Sequence, residues 1–136
     1  MKVNAILETV MYATDLSATE IFYKEILGLE PFSKVEDRYL FYYCGSSVLL
    51  VFNPDKSRIQ DFKVNGGLVP AHGAESGGHI CFKIHESEIP AWREWLKEKG
   101  VEIESEVTWN NGAQSIYFRD PAGNCLEVAS ARLWGL

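Results

Sequence analysis

Three side chains in this sequence have the types needed to bind a metal ion together: Glu8, His79 and Glu127. One imidazole and two carboxylates suit a borderline or hard divalent cation, such as Mn, Fe(II), Ni, Zn or Mg. Three protein ligands leave coordination positions for water or a substrate. A metal held in this way could polarise a carbonyl group or stabilise an oxyanion.

Side-chain alternation along β-strands predicts which way these candidate ligands point. The apolar series that begins at Ile80 should face a helix, so His79 points to the opposite face of its strand. The series that begins at Leu126 places Glu127 in the same way. The two halves of the chain repeat one pattern, and Glu8 occupies in the first half the position that His79 has in the second. Glu8 is therefore assigned to the same strand face as His79. The sequence therefore predicts that all three side chains converge on one cleft.

The elements that carry Glu8 form the first half of the chain. A β-rich run predicts a strand over 3–13, and Asp15 with a Ser17–Glu20 capping box predicts the start of a helix. Gly28 ends this helix, because glycine adopts the left-handed conformation at little cost. Three strands are then predicted near residues 30–36, 38–43 and 47–53.

The same pattern restarts at residue 78. A strand is predicted over 78–85, followed by a helix that Ser87 caps and that buries Trp92 and Trp95. Gly100 closes this helix. Strands are then predicted near residues 101–108, 114–119 and 124–130, with a strong turn signal at 120–124.

The two halves therefore have the same order of elements, βαβββ. Glu8 precedes Asp15 by seven residues, and His79 precedes Glu86 by seven residues. This repeat predicts an α+β fold in which two βαβββ modules form a cleft between curved sheets. We expect a single domain over residues 1–136, with module one at about 1–53, a linker or lid loop at about 54–77, and module two at about 78–136.

Other residues are weaker candidates for the site. Tyr117 could orient a ligand oxygen beside Glu127, or it could be an ordinary cross-strand aromatic residue. Trp109 could form a wall for substrate stacking, or an aromatic staple at a loop base. His72 could contact the substrate or shuttle a proton, or it could be a solvent-exposed loop histidine. We predict that Trp109 and His72 bind the substrate.

Composition excludes several classes of function. The formal net charge is −6, without a basic stripe, which argues against nucleic acid as a partner. No apolar run is long enough to span a membrane. The cysteines are odd in number and widely spaced, at Cys44, Cys81 and Cys125, which predicts free thiols in a reducing cytoplasm.

These residues resemble the vicinal oxygen chelate superfamily, which includes glyoxalases, fosfomycin-resistance transferases, extradiol dioxygenases and bleomycin-resistance proteins. The resemblance covers nearly the whole chain. In the first half it rests on residues 15–23 and on Leu27-Gly28-Leu29. In the second half it rests on residues 78–82 and on the run 118–127, Phe-Arg-Asp-Pro-Ala-Gly-Asn-Cys-Leu-Glu.

The resemblance implies a role for individual positions. His79 matches the second-module metal histidine, and Glu127 matches the last-strand metal carboxylate. Glu8 stands where many members have a histidine, and it is also a candidate catalytic base, with Tyr117 as a further catalytic candidate. No ligand occurs in the stretch 48–52, so the resemblance favours an open three-ligand site.

The leading hypothesis is a metalloenzyme whose small-molecule substrate chelates a divalent metal through oxygen. Lyase or isomerase, thiol transferase and dioxygenase reactions remain open. The alternative is a non-catalytic, antibiotic-like binding protein with an aromatic groove and no metal, and a third option is a subunit interaction module. The resemblance also implies a homodimer, in which the two modules at a site come from one subunit or from two.

Overall fold

The computed structural model describes residues 1–59, 63–75 and 77–136. The chain divides into two compact units, Met1–Ser76 and Gly77–Leu136, called unit one and unit two below. In the described residues, helices are too short or too polar to cross a membrane.

Unit one contains the first predicted module. Its elements are β1 (Glu8–Tyr12), α1 (Leu16–Leu27), β2 (Pro31–Val35), β3 (Tyr39–Cys44), β4 (Ser47–Phe52), the helical turn α2 (Pro54–Ser57), β5 (Lys63–Val64) and β6 (Gly67–Leu68). The first strand is shorter than the predicted 3–13, because residues 1–6 extend past Ser47, the first residue of its pairing partner β4.

The segment 54–77, predicted as a linker or lid, is not a plain loop. It contains α2 and the small hairpin of β5 and β6. Residues 60–62 and residue 76 lie outside the described part of the chain. The lid function of this segment stays a prediction.

Unit two repeats the order of unit one. Its elements are β7 (His79–Lys83), the 3₁₀ turn Glu86–Glu88, α3 (Ile89–Glu98), β8 (Ile103–Thr108), β9 (Gln114–Arg119), β10 (Cys125–Ala129) and the 3₁₀ turn Ala131–Trp134. The α+β class and the two βαβββ halves are therefore confirmed.

Each unit builds its sheet with the same topology. The strand order is β1-β4-β3-β2 in unit one and β7-β10-β9-β8 in unit two. In both sheets the first strand pairs in parallel with the last, and the other neighbours are antiparallel. This pairing brings the first and last strands of each repeat side by side, where the candidate ligands lie.

One face of each sheet packs on a helix. In unit one, Tyr42 is fully buried, and its ring centroid lies 5.5 Å from that of Tyr23 in α1. In unit two, the buried face contacts α3 and contains Ile116, Phe118, Leu126 and Val128. Because side chains alternate, the next residues along each strand lie on the other face, which the helix does not cover. That second face carries the candidate chemistry.

Asp15 is confirmed as the cap of α1, whereas the predicted Ser17–Glu20 capping box and the predicted Ser87 cap are wrong. The side chain of Asp15, not Ser17, accepts the hydrogen bond from the amide of Ala18, at 2.9 Å. Glu20 faces β2 instead, where it binds the ammonium of Lys34. A carboxylate directly before the first helical residue reaches the free amides better than a hydroxyl inside the helix does.

In unit two, the cap lies before the 3₁₀ turn rather than at Ser87. The ring of His85 accepts from the amide of Ser87, and Glu88 accepts from the amide of His85. The prediction that Trp92 and Trp95 both lie in the core is also wrong. Trp95 is 37% exposed and lies beneath the ammonium of Lys99, while Leu96 is fully buried.

A buried polar turn fixes the relative position of β7 and β10. The Asp120 carboxylate accepts from the amide of Asn124 at 2.8 Å and from its side-chain amide at 2.9 Å. The side-chain oxygen Oδ1 of Asn124 accepts from the amide of Gly78 at 3.0 Å. Since Gly78 and Asn124 directly precede His79 and Cys125, this turn sets where the two site strands begin.

Substitution at Asp15 and Ser17 tests which of the two predicted residues caps α1. Asp15→Ala should lower the free energy of unfolding by about 1 kcal/mol, because it leaves amides of the first turn without a partner. Ser17→Ala should change it by less than about 0.5 kcal/mol. Urea unfolding followed by circular dichroism measures both. Equal losses for the two variants would restore Ser17 as the cap.

Removal of the Asn124 side chain tests the turn that aligns β7 with β10. Asn124→Ala should lower the free energy of unfolding by about 1–3 kcal/mol, because it removes the side-chain hydrogen bonds to the buried Asp120 carboxylate and to the Gly78 amide. Asn110→Ala, at an exposed loop asparagine, is the matched control and should change stability by less than about 0.5 kcal/mol. A small loss for Asn124→Ala in urea unfolding would show that the turn does not fix this register.

Candidate metal centre and adjacent cavity

His79 is the first residue of β7 and lies opposite Cys125 of β10. Its Nδ1 is 3.0 Å from the backbone carbonyl oxygen of Cys125. A carbonyl only accepts, so Nδ1 carries the proton and donates it. In the neutral imidazole, Nε2 then holds the free lone pair. This is the arrangement by which proteins orient a metal-binding histidine.

Glu127 directs its carboxylate at that free nitrogen. One oxygen, Oε2, is 3.4 Å from Nε2 of His79, while the Glu127 side chain is only 5% exposed. The other oxygen, Oε1, is buried and has no hydrogen-bond partner among the described residues. An unpaired carboxylate oxygen is costly to bury. A cation held between the imidazole nitrogen and the carboxylate would satisfy both groups.

Two further polar side chains adjoin Glu127 in the sheet: Tyr117 on β9 and Cys81 on β7. Burial, followed by the nearby Glu127 carboxylate, raises the pKa of the Tyr117 hydroxyl. The same two causes raise the pKa of the Cys81 thiol to about 12. This raised pKa disfavours the thiolate of Cys81 in the metal-free protein. The ring of Tyr117 also stacks beside that of His79, with 6.2 Å between centroids.

His79 and Glu127 thus fit a divalent metal, and unit two brings them together with Tyr117. Within the described residues of either unit, no three His, Cys, Asp or Glu side chains form a metal-binding group. The third predicted ligand, Glu8, belongs to unit one. Its participation in the same metal site stays a prediction.

Glu8 and His72 lie at a different feature, a cavity of about 290 Å³ within unit one. The cavity has charged side chains at Glu8, Arg38 and Lys56, with His72 on its wall. The remaining lining is mostly apolar and aromatic and consists of Tyr39, Phe41, Leu50, Phe52, Ser57, Ile59, Val69, Pro70 and Ala71. Small-molecule sites commonly combine an apolar wall with a few polar groups in this way.

His72 is held firmly for a residue outside helices and strands. Its backbone amide donates to the carbonyl of Ser57 at 3.0 Å, and its Nδ1 is 2.8 Å from the hydroxyl of Tyr12. The edge of the ring meets Phe52 at 4.7 Å between centroids. His72 therefore forms part of the cavity wall, which is compatible with contact to a substrate.

Trp109 lies at the base of the β8–β9 connection. Its indole N–H donates to the hydroxyl of Ser115 at 2.9 Å, and the residue is 40% exposed. Ser115 precedes Tyr117 by two residues on the same strand, so Trp109 borders the face that holds the metal candidates. Its substrate-binding role stays a prediction.

Two features of these sites escaped prediction from the sequence. Arg38 and Lys56 line the cavity. The sequence predicts a strand at Arg38 and a linker at Lys56, but no ligand-binding role for either residue. The sequence does contain a signal for the aromatic wall. Tyr39 and Phe41 flank Leu40, so alternation along β3 places both rings on the face opposite to the buried Leu40. The carbonyl of Cys125 that orients His79 is a backbone group, and side-chain patterns do not locate it.

Comparisons with known proteins agree with this architecture. The model of the Glyoxalase/Bleomycin resistance protein/Dioxygenase superfamily matches residues 5–128. The metallothiol transferase FosB of Staphylococcus saprophyticus is 30% identical over 122 residues, which cover 88% of this chain and 72% of that protein. The crystal structure of a lactoylglutathione lyase from Agrobacterium tumefaciens is 38% identical, with a TM-score of 0.92 and full coverage of both chains.

A more distant structure shares the fold alone. The fosfomycin resistance protein FosX of Listeria monocytogenes is 19% identical, with a TM-score of 0.68, and the match covers 96% of this chain and 95% of that one. The match of the family model spans nearly the whole of both units. This chain is therefore a member of the glyoxalase/bleomycin resistance protein/dioxygenase superfamily, that is, of the vicinal oxygen chelate group.

Proposed function

We propose that this protein is a divalent-metal-dependent enzyme that acts on a small molecule bound to the metal through oxygen. The observation that carries the proposal is the His79–Glu127 pair. The imidazole is fixed with its lone pair toward the carboxylate, and a buried carboxylate oxygen has no other partner among the described residues. The name of the relative FosB, a metallothiol transferase, adds support for metal dependence.

Each predicted site residue takes a role in this proposal. Nε2 of His79 and a carboxylate oxygen of Glu127 bind the metal, with Glu8 as the third ligand or as a base. The metal, Mn, Fe, Ni, Zn or Mg, supplies a Lewis acid that stabilises negative charge on a substrate oxygen. The hydroxyl of Tyr117 orients that oxygen from beside Glu127. Trp109 and His72 contact other parts of the substrate.

We further propose that the reaction forms or breaks a carbon–sulfur bond of a small thiol adduct. The relatives that support this class are named for thiol transfer and for a lyase of lactoylglutathione. Dioxygenase and isomerase reactions have less support from these two relatives.

A second candidate function is small-molecule binding without catalysis. The aromatic cavity of unit one favours it, because such a wall binds apolar compounds without any metal. The two functions differ in metal dependence, so metal analysis separates them.

We also propose a homodimer in the cytoplasm. Cys44, Cys81 and Cys125 are all free thiols, which suits a reducing compartment. Size-exclusion chromatography with light scattering would measure the oligomeric state directly.

Metal binding should depend on the two paired side chains. Protein purified without chelator and titrated with Mn, Ni, Fe and Zn should bind about one divalent ion per chain. His79→Ala and Glu127→Gln should each weaken the affinity by about 100-fold or more, since each removes a ligand. Calorimetry measures the affinities, and elemental analysis measures the stoichiometry.

Two variants complete the metal experiment. His85→Ala is the matched histidine control and should bind metal as the wild type does, because His85 only caps the turn before α3. Glu8→Gln should weaken binding if Glu8 is the third ligand. The enzyme proposal fails if no ion binds, or if His79→Ala binds the metal as tightly as the wild type does. Either result would favour small-molecule binding without catalysis.

Lactoylglutathione is a suitable first probe for thiol chemistry. In the lyase direction the metal-loaded protein should cleave its carbon–sulfur bond into a free thiol and a 2-oxoaldehyde, and a chromogenic thiol reagent traps and measures the thiol as it forms. The rate should fall at least about 100-fold in His79→Ala, because substrate oxygen would lose the metal. His85→Ala should keep the wild-type rate. Thiol release that is equal in His79→Ala and wild type would exclude the His79–Glu127 pair as its source.

A further inference from the structure

We infer that the cavity of unit one binds a small carboxylate whose remaining part is an apolar or aromatic group. This inference rests on the proposed function, because it names the class of molecule that the enzyme would take. It is carried by the pairing of an aromatic wall with two cationic side chains at the same cavity.

The wall is a continuous set of rings. Tyr39 and Phe41 stack at 4.0 Å between centroids, and the edge of Phe41 meets Phe52 at 5.4 Å. Phe52 in turn contacts the ring of His72. Tyr39 and Phe41 alternate along β3, and each lies opposite a residue of the same face on β4. The strand register therefore holds these rings in place without a ligand.

A flat apolar group matches this wall in size and chemistry. The cavity volume of about 290 Å³ is close to the lower end of the range for small-molecule sites. Aromatic groups gain stability against such rings through offset or edge-to-face contacts. The wall alone does not distinguish neutral ligands from charged ones, and the charged residues supply that distinction.

Arg38 and Lys56 both line the cavity, and Glu8 is the one acidic residue in its described lining. Two positive groups and one negative group give a formal charge of +1. The guanidinium of arginine matches a carboxylate with two parallel hydrogen bonds, which favours a carboxylate over a simple halide or neutral group.

One buried residue connects the two cationic segments. The backbone amide of Asn53 donates to the carbonyl of Arg38 at 3.0 Å. The side chain of Asn53 accepts from the amide of Asp55 and so caps α2, the turn that carries Lys56. Asn53 is only 8% exposed. The backbones of both cationic residues are therefore fixed relative to the wall.

Ser57 adds a hydroxyl to the same cavity. Its oxygen is buried and has no hydrogen-bond partner among the described residues. A hydroxyl without a partner is costly to bury, and a ligand oxygen would satisfy it. The cavity thus offers a donor set for an anionic oxygen beside an apolar wall.

An NMR titration of the full chain with phenylacetate tests this inference. Phenylacetate should saturate the shifts of the amides of Phe52 and His72. Its neutral amide, phenylacetamide, should bind at least about tenfold more weakly, because it has no charge for the two cations. Inorganic phosphate should not displace phenylacetate at equal concentration.

Two substitutions test whether Arg38 and Lys56 recognise the carboxylate group. Arg38→Gln and Lys56→Gln should each weaken phenylacetate binding about fivefold or more, with little effect on phenylacetamide. Lys34→Gln is the matched control, because Lys34 pairs with Glu20. It should bind both probes as the wild type does. Circular dichroism and the dispersion of the NMR spectrum establish that each variant is folded.

Several outcomes would overturn the inference: no binding of phenylacetate, equal binding of acid and amide, unchanged affinity in Arg38→Gln and Lys56→Gln, or displacement by phosphate. Metal titration of the same samples separates this failure from that of the proposed function. Metal bound at His79 and Glu127 without carboxylate selectivity leaves the enzyme proposal standing. Carboxylate selectivity without metal binding supports the inference and favours binding without catalysis.

Discussion

Both sites depend on one constraint, the parallel pairing of the first and last strands of each βαβββ repeat. These pairs are β1 with β4 and β7 with β10. In unit two it sets His79 opposite Cys125, whose carbonyl takes the proton of Nδ1, and it sets Glu127 two residues further along β10. A slip of one residue would turn the Glu127 carboxylate toward the helix and turn Leu126 and Val128 away from it. The buried hydrogen bonds of Asn124 oppose that slip, because they hold the ends of the two strands together.

The same register in unit one presents different residues at equivalent positions. Glu8 lies opposite Val48, and Leu50 occupies the position that Glu127 has in unit two. Phe41, beside Leu50, corresponds to Tyr117 beside Glu127. The same backbone pattern therefore places the metal-binding candidates His79 and Glu127 in unit two and an aromatic cavity in unit one. The duplicated fold supplies positions, and a few substitutions decide which ligand each position suits.

The sequence predicted what depends on local patterns. The two βαβββ repeats, and the faces of the strands that carry Glu8, His79 and Glu127, follow from alternation and turn residues, which are local. Contacts that depend on tertiary packing were not predicted. Trp95 is exposed, and Arg38 and Lys56 line one cavity, where the buried Asn53 bonds to the backbone of Arg38. The distance between Nε2 of His79 and Glu127 likewise depends on a backbone carbonyl that carries no sequence signal.

The electrostatics of the two sites point to a division of tasks. His79 and Glu127 present lone pairs and negative charge, which attract a cation and would repel an anionic substrate in the absence of metal. Arg38 and Lys56 present positive charge beside an apolar wall, which attracts an anion and would repel a metal ion. Neither set can take over the task of the other without reversing its charge. Each set therefore discriminates by charge against molecules that lack its partner group: a cation in unit two and an anion in unit one.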